Sequence, residues 1–383
     1  MGSASVFNTT SDFELRLALG LGLVTLVASV GLVLQVLSMR LRAQRREHAR
    51  RAVQARWRPV LVQAAVESGE DGAAMPCLPA LAHRELTDVL LLWTQMQDGL
   101  RGSAHAGLNR LAVQLGFAEQ ARHWAARGRL AQRVIGLVVL GHLGLPEDRE
   151  RLRIALDDPR TLVSLAGARA LLQIDAAGNA PRVLDQYLGR PDWPAARLGT
   201  LLRDAGAEAV APALLERLLA AAPAEQIRLL PLLRFAETPR SGSVLEQLVA
   251  GSEDPQVLSI ALRQLHGPDA LERVRKLCES GDALVRSAAA VALGRIGEPI
   301  DRVRLVILLS DRDWWVRYRA AQALVTMPGL DEAALRRLHA GLPDRYARDM
   351  LEHAWAERAL HGGGAQAASL LAEPVAAEMA VPR

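Results

Sequence analysis

The segment Asp282-Ala-Leu-Val-Arg-Ser-Ala-Ala-Ala-Val-Ala-Leu-Gly294 is followed 31 positions later by Asp313-Trp-Trp-Val-Arg-Tyr-Arg-Ala-Ala-Gln-Ala-Leu-Val325. The two share the leading Asp, the Val-Arg pair, three Ala and the Leu before the last residue. Another step of 31 places Arg348, Ala354 and Trp355 at the Arg, Ala and Leu positions. In the other direction the Leu position falls on Leu262, Leu232, Leu201, Leu171 and Leu140, at steps of 30 or 31. A fixed period of this length marks a repeat array, and eight units are expected between Leu140 and Trp355.

Each unit has room for two helices. A first helix precedes the marked one, as in Pro268 to Ser280 before Asp282 to Gly294, or Leu330 to Ala340 before Asp344 to Leu360. The Asp suits a helix start, where its carboxylate accepts from free backbone N–H groups. The Ala positions let neighbouring helices approach closely. Leu140-Gly-His-Leu-Gly144 matches Leu293-Gly-Arg-Ile-Gly297, and each final Gly suits a left-handed residue closing a helix. A pair of short helices cannot bury its apolar face alone, so the units must stack. The fold expected is all-α, an α-solenoid of helical hairpins with period 30–31. Pro194 and Pro231 are expected to interrupt the marked helices of the middle units.

The pattern Asp-x-x-Val-Arg-x-x-Ala-Ala-x-Ala-Leu in Asp282 to Leu293 and Asp313 to Leu324 resembles the HEAT-like repeats of bacterial proteins, including the phycobilin lyase type. The resemblance is good for those two units and fair for Leu130 to Gly144, Asp158 to Leu172 and Asp344 to Trp355. It is weak for Asp192 to Ala261. It implies stacked helical pairs, and a family that contains lyases and DNA glycosylases. None of the substrate-site residues of those enzymes can be placed in this sequence.

Ahead of the repeats, Leu17 to Leu37 is uncharged and would span about 31 Å as a helix, close to the hydrocarbon thickness of a bilayer. It reads as a single transmembrane helix. Arg40, Arg42, Arg45, Arg46, Arg50 and Arg51 follow it, whereas Asp12 and Glu14 precede it. The positive-inside rule then sets the N-terminus outside and the repeats in the cytoplasm, as a single-pass inner-membrane protein in contact with the bilayer through Leu17–Leu37. The domains expected are an outer segment 1–16, the span 17–37, a basic juxtamembrane helix 38–58, a helical cap 59–126, the solenoid 127–361 and a flexible tail 362–383.

Charge is uneven. Residues 38–58 hold eight Arg against Glu47, a net +7, which leaves −3 for the rest of a chain whose formal charge is +4. The basic segment therefore reads as a topology determinant, and nucleic acid is not the expected partner. Cys77 and Cys278 have no second thiol or His at metal-ligand spacing, so both read as plain buried or half-buried thiols.

No catalytic set, cofactor motif or metal site stands out. The nine His include no H-x-x-x-H pair and no carboxylate at metal-ligand spacing, and read as surface or interhelix residues. There is no phosphate-binding Gly-rich loop and no nucleophile elbow. What remains is surface recognition. Arg133, Arg286, Arg317 and Arg348 form a column in the marked helices, with Arg319 nearby. The column reads first as a structural ladder and second as a stripe for an acidic partner. Trp315 shares a column with Leu162, Leu284 and Tyr346 and reads as core. Trp314 shares one with Thr161, Ala283 and Arg345 and reads as an exposed binding anchor. The expected function is a membrane-anchored scaffold for a protein partner, itself membrane-associated, in a setting such as envelope or polysaccharide assembly. The alternatives are a HEAT-like lyase or glycosylase, and lipid or nucleic-acid binding by the basic segment.

Overall fold

A computed structural model describes residues 6–66, 78–100 and 102–371, with the side chains of all of these except 6–28, 46, 103 and 361–371. Among the described residues every regular element is a helix. The chain divides into two compact units, Met1–Leu145 and Pro146–Arg383.

The first unit contains α1 (Val6–Val66), α2 (Leu86–Gly99), α3 (Ser103–Gln114), α4 (Phe117–Arg127) and α5 (Leu130–Leu143). Val53, Trp57, Leu61, Ala64 and Ala65 form a buried stripe at helical spacing, so the end of α1 belongs to the core of this unit. They join Leu90 and Trp93 of α2, Leu108 and Leu111 of α3, and Phe117 of α4 as buried residues. The Trp93 ring meets Phe117 edge to face at 6.2 Å and its Nε1–H donates to the Leu108 carbonyl at 3.0 Å.

The expected membrane anchor is not supported, and the single-pass inner-membrane location is corrected. Among the described residues no helix is long and apolar enough to cross a membrane. The side chains of residues 17–28 in the expected span lie outside the described ones. Contact with a bilayer through Leu17–Leu37 loses its basis with the anchor.

The second unit is a run of helix pairs. They are α6 (Arg149–Leu156) with α7 (Thr161–Ile174), α8 (Ala176–Gly189) with α9 (Ala195–Ala205), and α10 (Ala207–Ala220) with α11 (Pro223–Leu229). Then follow α12 (Pro239–Gly251) with α13 (Pro255–Gln264), α14 (Leu271–Leu277) with α15 (Ala283–Ile296), α16 (Arg302–Leu308) with α17 (Trp314–Thr326), and α18 (Glu332–Gly341) with α19 (Arg345–Leu371). The second helices α13, α15, α17 and α19 pack each on the next, as do the first helices α8, α10, α12 and α14, so the unit has the two layers of an α-solenoid. The helix α19 continues through Gly362–Gly363–Gly364 to Leu371, and residues 372–383 lie outside the described ones.

The caps set the register. Asp282 accepts from Leu284 N–H, Asp313 from Trp315 and Val316 N–H, and Asp344 from Tyr346 N–H. Asp254 accepts in the same way from Gln256 and Val257 N–H, only 28 positions before Asp282. The shorter α13 therefore begins late in the period, while its C-cap, Leu265, still precedes Gly297 by about a full repeat and leaves Leu262 in the Leu column. Three residues after the caps, Val257, Val285, Val316 and Ala347 are at most 1% exposed. Burial of each Val contributes about 1.5 kcal/mol or more.

Pro231 interrupts its helix as expected, and Pro194 does not. Pro194 stands at the N-cap of α9 and starts it, while Pro231 lies in a 3-10 segment, Leu230–Phe235, where α11 gives out. The two closing glycines also differ. Gly144 is left-handed, with φ 64°, but Gly297 has φ −69°. Gly297 is required by space, since a Cβ there would stand 2.2 Å from the Leu293 carbonyl oxygen.

Candidate functional site

The second helices α15, α17 and α19 bury one face and present the other to solvent. Leu284, Trp315 and Tyr346, one step after Ala283, Trp314 and Arg345, are 40%, 58% and 69% exposed. The next residue in each helix, Val285, Val316 or Ala347, is buried, because one residue turns a helix by about 100°. Trp315 is thus not a core residue: its column, Leu162 included, is an exposed apolar ridge. Trp314 is also exposed, at 46%.

On α17 the aromatic side chains organise one another. Trp314 stacks on Tyr318, one turn on, with ring centroids 5.2 Å apart and planes 14° apart. Trp315 meets Trp314 edge to face at 4.8 Å. The Tyr318 hydroxyl reaches across to α19 and donates to Glu357, with Oε2 at 2.9 Å. Gln322 Nε2 donates to the Tyr318 hydroxyl at 2.7 Å and to Glu357 Oε2 at 3.2 Å. His353 Nε2 lies 3.3 Å from Glu357 Oε1, and Arg319 Nη1 donates to Gln322 Oε1 at 2.8 Å. Burial first, and the Glu357 carboxylate second, raise the Tyr318 pKa above its ordinary value, so it is a neutral donor at physiological pH.

Beside this network is a groove of about 610 Å³, lined by side chains from all three helices. Val291, Ala323 and Ala354 supply apolar wall, and Arg295, Arg319 and Arg358 supply charge. Arg295 donates to the Leu262 and Arg263 carbonyls at 2.7 and 2.6 Å, at the end of the preceding second helix. Arg358 repeats the arrangement by donating to the Val325 carbonyl. Cations at helix C-termini complement the helix dipole.

The arginine column has a different task. Arg286, Arg317 and Arg348 each turn back to a carbonyl six residues earlier, at Ser280, Asp311 and Leu342, over 2.9, 2.8 and 2.6 Å. Arg286 also holds Asp311. In the first unit Arg133 donates to the Ala125 carbonyl at 3.2 Å. The bonds of Arg286, Arg317 and Arg348 fix the segment ahead of a second helix, and that of Arg133 ties α5 to the end of α4. Arg319, two residues beyond the column, faces the groove instead. Of the basic residues on α1, Arg40, Arg42 and Arg45 are exposed, Arg50 is half-buried, and Arg51 pairs with Glu47 at 3.0 Å; the Arg46 side chain lies outside the described ones.

Sequence reasoning reached Trp314 and Arg319 but missed Tyr318, Gln322, His353, Glu357, Arg295 and Arg358. His353 and Glu357 do stand one helical turn apart, which corrects the expectation that no His has a carboxylate at such spacing and was the available signal. The pairing of Tyr318 with Glu357 has no counterpart in the repeat pattern.

Residues 242–325, from within α12 to near the end of α17, match the family model described as HEAT repeats. No curated protein sequence matches the chain. Among solved structures, human deoxyhypusine hydroxylase in complex with glycerol is similar at 17% identity, over 80% of this chain and 95% of that one, with a TM-score of 0.25. A likeness at that score carries no argument about activity. Residues 242–325 thus match HEAT repeats, and the capped and stacked helix pairs around them continue the same helical-repeat architecture.

Proposed function

We infer that this helical-repeat scaffold binds a protein partner on the exposed face of α15, α17 and α19. One observation carries the reading: Trp314, Trp315 and Tyr346 are large aromatic side chains left in solvent, 46%, 58% and 69% exposed, on helices that bury their other face. Exposed Trp and Tyr are the side chains that most often anchor protein interfaces. The Tyr318–Gln322–Glu357 network supports the reading, because it holds the aromatic group in one arrangement before a partner arrives. Arg286, Arg317 and Arg348 are engaged with their own loops, which favours the aromatic residues over them as contacts for a partner.

The test is affinity capture with the full chain, comparing wild type with Trp314→Ala/Trp315→Ala and with Leu162→Ala. Leu162 is 57% exposed in the same column but lies outside the α15–α19 surface. The partner should be lost from the Trp variant and kept by the Leu162 variant. Equal recovery from all three would refute this choice of surface.

A further inference from the structure

We propose that the groove between α15, α17 and α19 selects an acidic polypeptide segment, seating a carboxylate among Arg295, Arg319 and Arg358 and an adjacent apolar side chain against Val291, Ala323 and Ala354. The inference rests on the scaffold reading above and assigns its partner a chemistry.

The charge pattern is the first argument. Some arginines of the same unit hold carboxylates of the chain itself, whereas Arg228, Arg317 and Arg348 donate only to carbonyl oxygens among the described residues. Arg190 holds Asp192, Arg217 holds Asp185 and Glu225, Arg275 holds Asp301 and Glu298, and Arg286 holds Asp311. Arg295, Arg319 and Arg358 also lack a carboxylate, and these three line one groove together. Their hydrogen bonds go to carbonyl oxygens and to the Gln322 amide, and none of the three forms an ion pair among the described residues. Each guanidinium has five N–H donors, of which these bonds use one or two. Arg295 shows the consequence, since burial lowers its pKa below the ordinary value with no acid to offset it. A carboxylate entering the groove would meet donors already in place, in the planar geometry that favours carboxylate binding.

The second argument concerns which anion fits. Glu357 lines the same groove, held by Tyr318 and Gln322, and Asp349 is exposed on the same helix. A continuous polyanion such as a nucleic-acid backbone would set phosphates against these carboxylates. A polypeptide can place one carboxylate among the guanidiniums and uncharged side chains elsewhere. A volume of about 610 Å³ suits a few side chains, and the apolar wall favours Leu, Val or an aromatic residue beside the acid.

Selection of random peptides displayed on phage, on the immobilised full chain, tests this. The expected peptides carry Asp or Glu next to large apolar residues. A synthetic copy of a selected peptide should lose about tenfold or more in affinity when its acidic residue is replaced by the amide. That comparison uses the wild-type chain alone, so it stands even if an arginine variant misfolds. Arg319→Gln and Arg358→Gln should each reduce the preference for the acidic peptide over its amide form, with the helical circular dichroism unchanged. Selection of neutral or basic peptides that fail to bind Trp314→Ala/Trp315→Ala would overturn the acidic specificity and leave the scaffold surface standing. No selection above that seen on the Trp variant would overturn both. Displacement of the acidic peptide by lower concentrations of a single-stranded oligonucleotide would overturn the inference in favour of a polyanion.

Discussion

Arg286 on α15 and Asp311 in the loop before α17 face each other through two parallel bonds, Nε to Oδ2 at 2.7 Å and Nη2 to Oδ1 at 2.8 Å. Their side chains are only 8% and 10% exposed. Asp311 also accepts from the Asp313 N–H at 2.8 Å, so one carboxylate ties the cap of α17 to the preceding repeat. Removing one partner leaves the other charge buried without its complement. Arg286→Ala should therefore destabilise the second unit by about 3–5 kcal/mol, and Arg286→Met with Asp311→Leu by less than either single change. Urea midpoints at constant slope check this.

The same carboxylate gives the fold a defined acid limit. Burial alone would raise the Asp311 pKa, but the Arg286 fork and the Asp313 N–H outweigh it, and the folded value lies below the ordinary one. Asp301, buried and held by Arg275, behaves in the same way. A depressed folded pKa contributes stability that is present above about pH 4, the unfolded value, and is lost as pH falls through the folded value. Unfolding free energy should decline steeply below about pH 4, and Asp311→Asn should flatten that decline. An unchanged acid profile in the variant would remove Asp311 from the explanation.

The capping register is separately testable. Asp254, Asp282 and Asp313 accept from the first backbone N–H groups of α13, α15 and α17 in the same manner. Replacement of any of them by Ala should cost about 1 kcal/mol. Ala in place of Gly251, which stands 31 positions before Asp282 but is no cap, should cost less than Asp254→Ala.

Adjacent residues on α17 should respond oppositely. Val316 is 0% exposed and Trp315 58%. Val316→Ala should lose about 2–3 kcal/mol through lost burial and the cavity left behind. Trp315→Ala should lose less than about 1 kcal/mol, the worth of its edge contact with Trp314, despite removing the larger side chain. Thermal or urea unfolding of the two variants distinguishes a ridge in solvent from a core position.

Cys278, 4% exposed, is a thiol whose pKa burial pushes up to about 12. It should resist alkylation in the native chain at neutral pH and react readily in urea. Mass spectrometry of the peptide containing it reads both states. Rapid native labelling would show that α14 opens locally. The other thiol, Cys77, lies outside the described residues.

What the sequence determined by itself was the repeat. Asp caps, Ala contacts and apolar spacing are local features that recur in every well-formed unit, so helix pairs stacked as a solenoid were legible from Asp282 to Val325 outward. The exposed Trp314 was legible for the same reason, since its column holds no other large apolar residue. The tertiary structure decided what repetition cannot encode. Trp315 shares a column with Leu and Tyr, and composition alone suggested core, yet the packing of Val316 against neighbouring helices turns that column outward. The apolar run before Arg40 suggested a membrane span, while among the described residues no helix is long and apolar enough to cross a membrane and α1 ends with Trp57 and Leu61 in a helical core. The arginines divide in the same way. Identical in the sequence, Arg286, Arg317 and Arg348 bind their own loops, whereas Arg295, Arg319 and Arg358 line a groove. A guanidinium's role depends on which carbonyl or carboxylate lies within about 3 Å, and only the stacking of one repeat on the next sets that distance.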